Sequence, residues 1–171
     1  MRFTAISAAI ALTLVSVSTS LYGQRPDNQI DARSVALVKK GEAAQAAGKL
    51  EAANDNYETA LAVDPRNRAA FVALGGVAHA QGLNGKAIRF YREALKLDPN
   101  DVTALRGQGE AMVAKGAVTK AEENLAKIKK ICGSKGCGAA DQLAAVIAKG
   151  PPANVVAEQT VKPEPTSEDK N

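Results

Sequence analysis

The segment Tyr57-Glu58-Thr59-Ala60-Leu61-Ala62-Val63-Asp64-Pro65 returns 34 residues later as Tyr91-Arg92-Glu93-Ala94-Leu95-Lys96-Leu97-Asp98-Pro99, identical at its Tyr, Ala, Leu, Asp and Pro positions. Tyr57 and Leu61, like Tyr91 and Leu95, are four residues apart and therefore share one face of a helix. Pro65 and Pro99 end that helix, because proline blocks continuation and pushes its predecessor out of the helical region. Asn67 and Asp101 then stand as side-chain caps for the helix that follows.

On either side of this segment the same interval aligns Gly41, Gly75 and Gly109, then Gly48, Gly82 and Gly116, then Ala53, Ala87 and Ala121. In an alanine-rich chain one such match carries no information, but three columns held over three repeats do. The first glycine column falls inside a helix, where glycine costs about 1 kcal/mol relative to alanine, so close approach of a second helix must offset it. The second column falls where that helix should stop, and glycine takes the positive φ of a C-terminal turn without strain. The alanine column keeps the second helix small where a bulky side chain would push the pair apart.

These signals predict helices over 32–47, 50–63, 67–81, 84–97, 101–115 and 118–131. Leu143, Val146 and Ile147 give a seventh, over 138–149, one apolar face, with Asp141, Gln142 and Lys149 for its solvent side. The composition agrees: aromatic residues make up 4% of the 171 and Trp is missing, so a β-sandwich or an aromatic-lined pocket has little to be built from. The expected fold class is all-α.

Helix, glycine turn, helix and Asp-Pro in this period resemble the tetratricopeptide repeat (TPR) family at its small, aromatic and proline positions, from Ser34 to Ile131. The resemblance implies helix-turn-helix repeats at about 34–67, 68–101 and 102–133, stacked in a right-handed superhelical array with a capping helix at 138–149. A repeat array exposes apolar ends, so such a cap is expected. Lys40 and Gln108 depart from the pattern, standing where the family usually has Leu, as Leu74 does here. In the third repeat Leu125 replaces the aromatic, Ile128 the small residue and Gly133 the proline, so that repeat should pack differently on its outer side.

In TPR proteins the inner face of each first helix usually lines a groove for an extended peptide or a partner's helix. Carried over by position, that groove comprises Val35, Val38, Glu42 and Gln45, then Ala69, Val72, Gly76 and His79, then Thr103, Arg106, Glu110 and Val113. The core of the candidate site is Val38, Glu42, Gln45, Val72, His79, Arg106, Glu110 and Val113. The family's clamp for an acidic C-terminal carboxylate uses Lys and Asn, and Val38, Glu42, Val72 and Gly76 occupy those places, which argues against a chaperone-tail receptor. His79 could contact a ligand there or sense pH near 6.5, although a lone helical histidine also serves as a half-exposed spacer.

No catalytic equipment is visible. His79 is the single histidine, so one chain assembles neither a triad nor a multi-histidine metal site. Gly75-Gly76 lies in a predicted helix with no Gly-Lys-Ser or Gly-Lys-Thr after it, so it is no phosphate loop. No cofactor and no metal are expected. The formal charge of +4 arises from 22 basic and 18 acidic residues without a basic run or an aromatic platform, which argues against nucleic acid.

Met1 and Arg2 followed by the apolar stretch from Phe3 to Val17, with small residues at Ser16, Ser18 and Ser20, read as a signal peptide over 1–23 and a linker over 24–31. The stretch is about 15 residues where roughly 20 span a bilayer, so an uncleaved anchor is the lesser reading and the mature chain should be periplasmic or secreted, without stable membrane insertion. Cys132 and Cys137 flank Gly133-Ser134-Lys135-Gly136, and two cysteines so placed in an exported chain are expected to form a disulfide. A redox pair is the sharper alternative, since Cys137 precedes a helix and Lys135 adds charge nearby. Residues 150–171, with Pro151, Pro152, Pro163 and Pro165, read as a disordered tail.

The leading expectation is a non-catalytic scaffold for another protein or peptide, an adaptor in envelope, pilus or secretion assembly, where similar small exported bacterial TPR proteins serve. A thiol-redox accessory using Cys132 and Cys137 is the second reading, and a self-associating structural element the third.

Overall fold

A computed structural model describes residues 29–153 and 155. The expected signal peptide, most of the linker and most of the tail lie outside the described residues. The chain divides into two compact units, Met1–Ile30 and Asp31–Asn171; of the first only Gln29 and Ile30 are described, and the second holds the repeats.

Seven α-helices follow one another among the described residues: α1 (Ala32–Ala46), α2 (Leu50–Val63), α3 (Arg68–Ala80), α4 (Asn84–Leu97), α5 (Val102–Ala114), α6 (Val118–Cys132) and α7 (Gly138–Lys149). A single 3-10 turn, Gly133–Lys135, separates α6 from α7. Every bound falls within one residue of the sequence expectation, and the architecture is three antiparallel helix pairs with α7 packed on both α5 and α6.

The repeat chemistry explains the boundaries. Asp31, Asn67 and Asp101 cap the three first helices, their side chains accepting from the amides of Arg33, Ala70 and Ala104. Each first helix ends on a glycine with φ of 73°, 74° or 76°, at Gly48, Gly82 and Gly116. The following amide then reaches back to close the helix: Lys49 N to Ala44 O, Leu83 N to Ala78 O and Ala117 N to Met112 O, at 2.8 to 2.9 Å.

Within the first two pairs a ring presses on a glycine. Tyr57 packs against Gly41, leaving no room for a Cβ, and Tyr91 sits between Gly75 and Gly107 in the same way. The third pair breaks the pattern, since Leu125 stands where the tyrosines do. There the space beside Gly109 is filled by Leu143 of α7, whose methyls would lie 2.8 Å from a Cβ at that glycine. Leu143 is fully buried and shares a core with Leu105, Ile128 and Ala140. The cap thus completes the third repeat as well as covering its end.

The two departures at the leucine position have separate explanations. Leu74 is buried in one cluster with Val38, Tyr57 and Ala60 of the first repeat, whereas Lys40, at the same place in α1, is exposed. Gln108 is buried, and Asn124 of α6 donates to its Oε1 at 3.0 Å and to the Leu105 carbonyl at 3.1 Å. Polar side chains are tolerated in this interior because they satisfy one another.

The joints between repeats differ in kind. At the first joint Asn67, the cap of α3, donates from Nδ2 to Ser34 Oγ of α1 (2.8 Å), while within the first pair Ser34 Oγ donates to the Ala60 carbonyl (2.7 Å) and the Asp31 amide to Asp64 Oδ2 (2.9 Å), all buried. Between the second and third, Arg68 replaces Ser34 and its Nη1 bridges Asp98 and Asp101 in partly exposed ion pairs. The two backbone amides of Asp31 and Arg66 also hold the Asp64 carboxyl below the usual carboxylate range, the Asp31 bond contributing most.

The sulfurs of Cys132 and Cys137 are bonded, with their Cα atoms 5.8 Å apart. The bridge spans the 3-10 turn and ties the end of α6 to the start of α7.

Candidate functional site

Adjacent first helices touch along the array, α1 with α3 and α3 with α5, while the second helices do not approach each other as closely. The first helices therefore line the inner side and the second helices the outer side.

The inner side brings most of the expected groove residues together. Glu42 is exposed, Gln45, Val72 and His79 are half-buried, and Arg106 and Glu110 form a half-buried ion pair at 2.7 Å. Val38 and Val113 are placed otherwise: at 5% and 2% exposure they belong to the packed interior. Val38 joins Ala70, Leu74 and Val77 of α3 in one cluster, so the close approach of first helices that builds the inner face also covers it. Val35 takes its place at the surface, 40% exposed.

His79 is engaged within its own repeat. Its Nδ1 lies 2.7 Å from Asn84 Oδ1, across the turn between α3 and α4, so the ring donates there and serves as a clasp of that turn.

The tyrosine hydroxyls are the part of this face that sequence reasoning missed. Tyr57 Oη donates to Gln45 Oε1 at 2.9 Å, and Tyr91 Oη would lie 3.8 Å from a Cβ on Gly76. Burial raises the pKa of Tyr57, and the nearby Glu42 charge adds to it. Tyr91 is pushed up to about 12, first by burial and then by Glu110, with Arg106 opposing. Both hydroxyls therefore keep their protons to higher pH than a free tyrosine, beside the carboxylates of the inner face. The signal was present in the sequence as Tyr in place of an all-hydrocarbon ring.

Two open cavities flank α4. One, of about 860 Å³, is bounded by the Gly82–Lys86 turn, Arg89, Lys115, Pro152 and Val155. The other, of about 480 Å³, lies between α4 and α6 over Ile88, Gln108 and Met112, with Arg92, Lys115, Lys120 and Lys127 around it. A smaller cavity beside them is lined by Glu51, Asp55 and Lys86. Among the described residues no group of His, Cys, Asp and Glu is arranged to hold a metal ion, and no helix is long and apolar enough to cross a membrane.

Solved structures share this architecture. The Sgt2 TPR domain from Aspergillus fumigatus is 23% identical, with a TM-score of 0.66 over 86% of this chain and 95% of that one. The first TPR of Spaghetti (RPAP3), solved bound to the HSP90 peptide SRMEEVD, is 18% identical, with a TM-score of 0.64 over 71% of this chain and 96% of that one. An O-GlcNAc transferase mutant from Thermobaculum terrenum is 25% identical with a TM-score of 0.56, and the match covers 62% of this chain but 20% of the transferase. A comparison with curated proteins gave no match. The family model described as tetratricopeptide repeat matches residues 38–102 and 87–134, which together span more than half of the sequence. The chain, with its glycine-seated tyrosines and paired helices, belongs to the tetratricopeptide repeat family.

Proposed function

We propose that this chain is a non-catalytic scaffold that holds a peptide or helix of another protein against its inner face. TPR domains are protein-protein interaction modules, and the relative with the HSP90 peptide shows the kind of ligand such a domain takes. The observation that carries the reading is the row of polar groups on the inner side: exposed Glu42, the Tyr57 and Gln45 pair, and Arg106 with Glu110 beside Tyr91. With Glu42 and Glu110 against Arg106, and with Val38, Val72 and Gly76 at the clamp positions, this face favours a neutral or mildly basic segment over an acidic tail.

An adaptor in envelope, pilus or secretion assembly is the setting proposed, supported by the signal-peptide reading of residues 1–23 and by a disulfide, which persists in oxidising compartments. The mature N-terminus, read by mass spectrometry after fractionation, tests export; a chain retaining Met1 in the cytoplasm would refute it. The groove is tested by affinity capture from an envelope extract with the wild type beside a Glu42→Arg, Arg106→Glu double variant of unchanged melting temperature. Loss of the captured partner supports the inner face, and equal recovery refutes it.

A thiol-redox role is the second reading, favoured by the Cys132–Cys137 bond next to the start of α7. Replacing both cysteines by serine separates the two: a redox role requires function to vanish with little change in melting, and a staple requires the reverse.

A further inference from the structure

We propose that the outer side of the second and third repeats is a second docking surface, built for an acidic, extended segment of a partner protein. Arg89 and Arg92 of α4, Lys115 of the α5–α6 turn, and Lys120 and Lys127 of α6 border the two cavities flanking α4, which share Lys115. Among the described residues, Glu123 is the one carboxylate in the lining of either cavity. The ion pairs formed by other cations of the array, those of Arg33, Arg66, Arg68, Lys96 and Arg106, lie elsewhere. A chain of formal charge +4 therefore gathers five exposed cations around one surface, where recessed low-dielectric walls strengthen their field.

The surface has limits and a floor. On the first-repeat side the lining changes sign, with Glu51 and Asp55 facing Lys86 across the neighbouring cavity. Lys86 itself is held over the Phe90 ring at 5.5 Å. Beneath the cations lie the half-buried Ile88 and Met112, and Leu83 stands 49% exposed at one end. Apolar anchors below and cations along the rim fit a peptide of alternating acidic and apolar residues. A single-stranded nucleic acid would look for stacking faces, and among the described residues neither cavity is lined by an aromatic one. None of the inner-face residues named above lines either cavity, so its test is independent of the scaffold reading.

The test uses the full chain and a fluorescently labelled peptide of alternating Glu and Leu, titrated by anisotropy at low and raised salt. Arg92→Glu, Lys120→Glu and Lys127→Glu together should weaken binding by about tenfold or more, and salt should weaken the wild type. A control carrying the same charge change away from the cavities, Lys39→Glu, Lys40→Glu and Lys149→Glu, should bind like the wild type, and circular dichroism should show both variants folded. Equal binding by the cavity variant, or equal loss in the control, would overturn the proposal. So would tighter binding of labelled single-stranded DNA than of the peptide. Peptide binding that appears only after removal of residues 156–171, which hold Glu158, Glu164, Glu168 and Asp169, would overturn it in favour of the chain's own tail.

Discussion

Gly75 and Gly76 are neighbours in α3 with opposite surroundings. A Cβ on Gly75 would stand 2.7 Å from the Tyr91 ring, which is buried and has nowhere to move, whereas a Cβ on Gly76 meets only the Tyr91 hydroxyl at 3.8 Å. Gly75→Ala should therefore destabilise by about 1–2 kcal/mol, the overpacking cost outweighing the gain in helix propensity. Gly76→Ala should instead stabilise by roughly 0.5–1 kcal/mol, and urea unfolding of the two variants checks the contrast. The same ring predicts an alkaline limit. Because the folded pKa of Tyr91 is raised to about 12, its contribution is complete below the unfolded value near 10 and is lost as pH climbs toward 12. Stability should fall by about 1.4 kcal/mol per pH unit across that window, and Tyr91→Phe should reduce the slope measured by unfolding at stepped pH. The glycine and tyrosine columns were legible in the sequence because a contact repeated every 34 residues leaves a periodic record. The partnership of Gln108 with Asn124 left none, since it occurs in one repeat only and depends on which helix faces Gln108.

At the scale of the element, α7 is fastened twice, through Leu143 beside Gly109 and through the Cys132–Cys137 bond. Leu143→Ala should cost about 2–4 kcal/mol, because it opens a cavity in the third core. Reducing the bridge, or replacing both cysteines by serine, should cost about 2 kcal/mol through the freed loop. Guanidinium unfolding of each variant, with and without reductant, separates the two effects. The existence and bounds of every helix were readable from caps, glycines and prolines, whereas the substitution of Leu143 for a third ring was not. Leu125 announces a missing aromatic, but nothing in a single helix says what fills the space. Likewise Val38 and Val113 share the helical face of Glu42 and Arg106, yet depth depends on the neighbouring helix, and carrying a face over by position gives direction without depth.

Along the array, each pair packs on its neighbour and α7 closes the third, with no extensive packing between the first pair and the third. Stability in such an array is a sum of units and interfaces. Leu143→Ala should accordingly lower hydrogen-exchange protection in α5, α6 and α7 while leaving α1 and α2 near wild type; uniform loss along the chain would contradict this. The outer basic surface belongs to this scale too. Its cations come from two helices and a turn, so the sequence, scanned for a contiguous run, shows only scattered lysines and arginines. The two joints give the array a last property. The first is held by buried bonds through Ser34 and Asn67, which added salt barely screens, whereas the second adds to the buried contact of Tyr91 with Gly107 the partly exposed Arg68 carboxylate pairs, which it does. Ionic strength thus acts on curvature at a single place, and small-angle scattering should see the third repeat swing while the first two keep their angle.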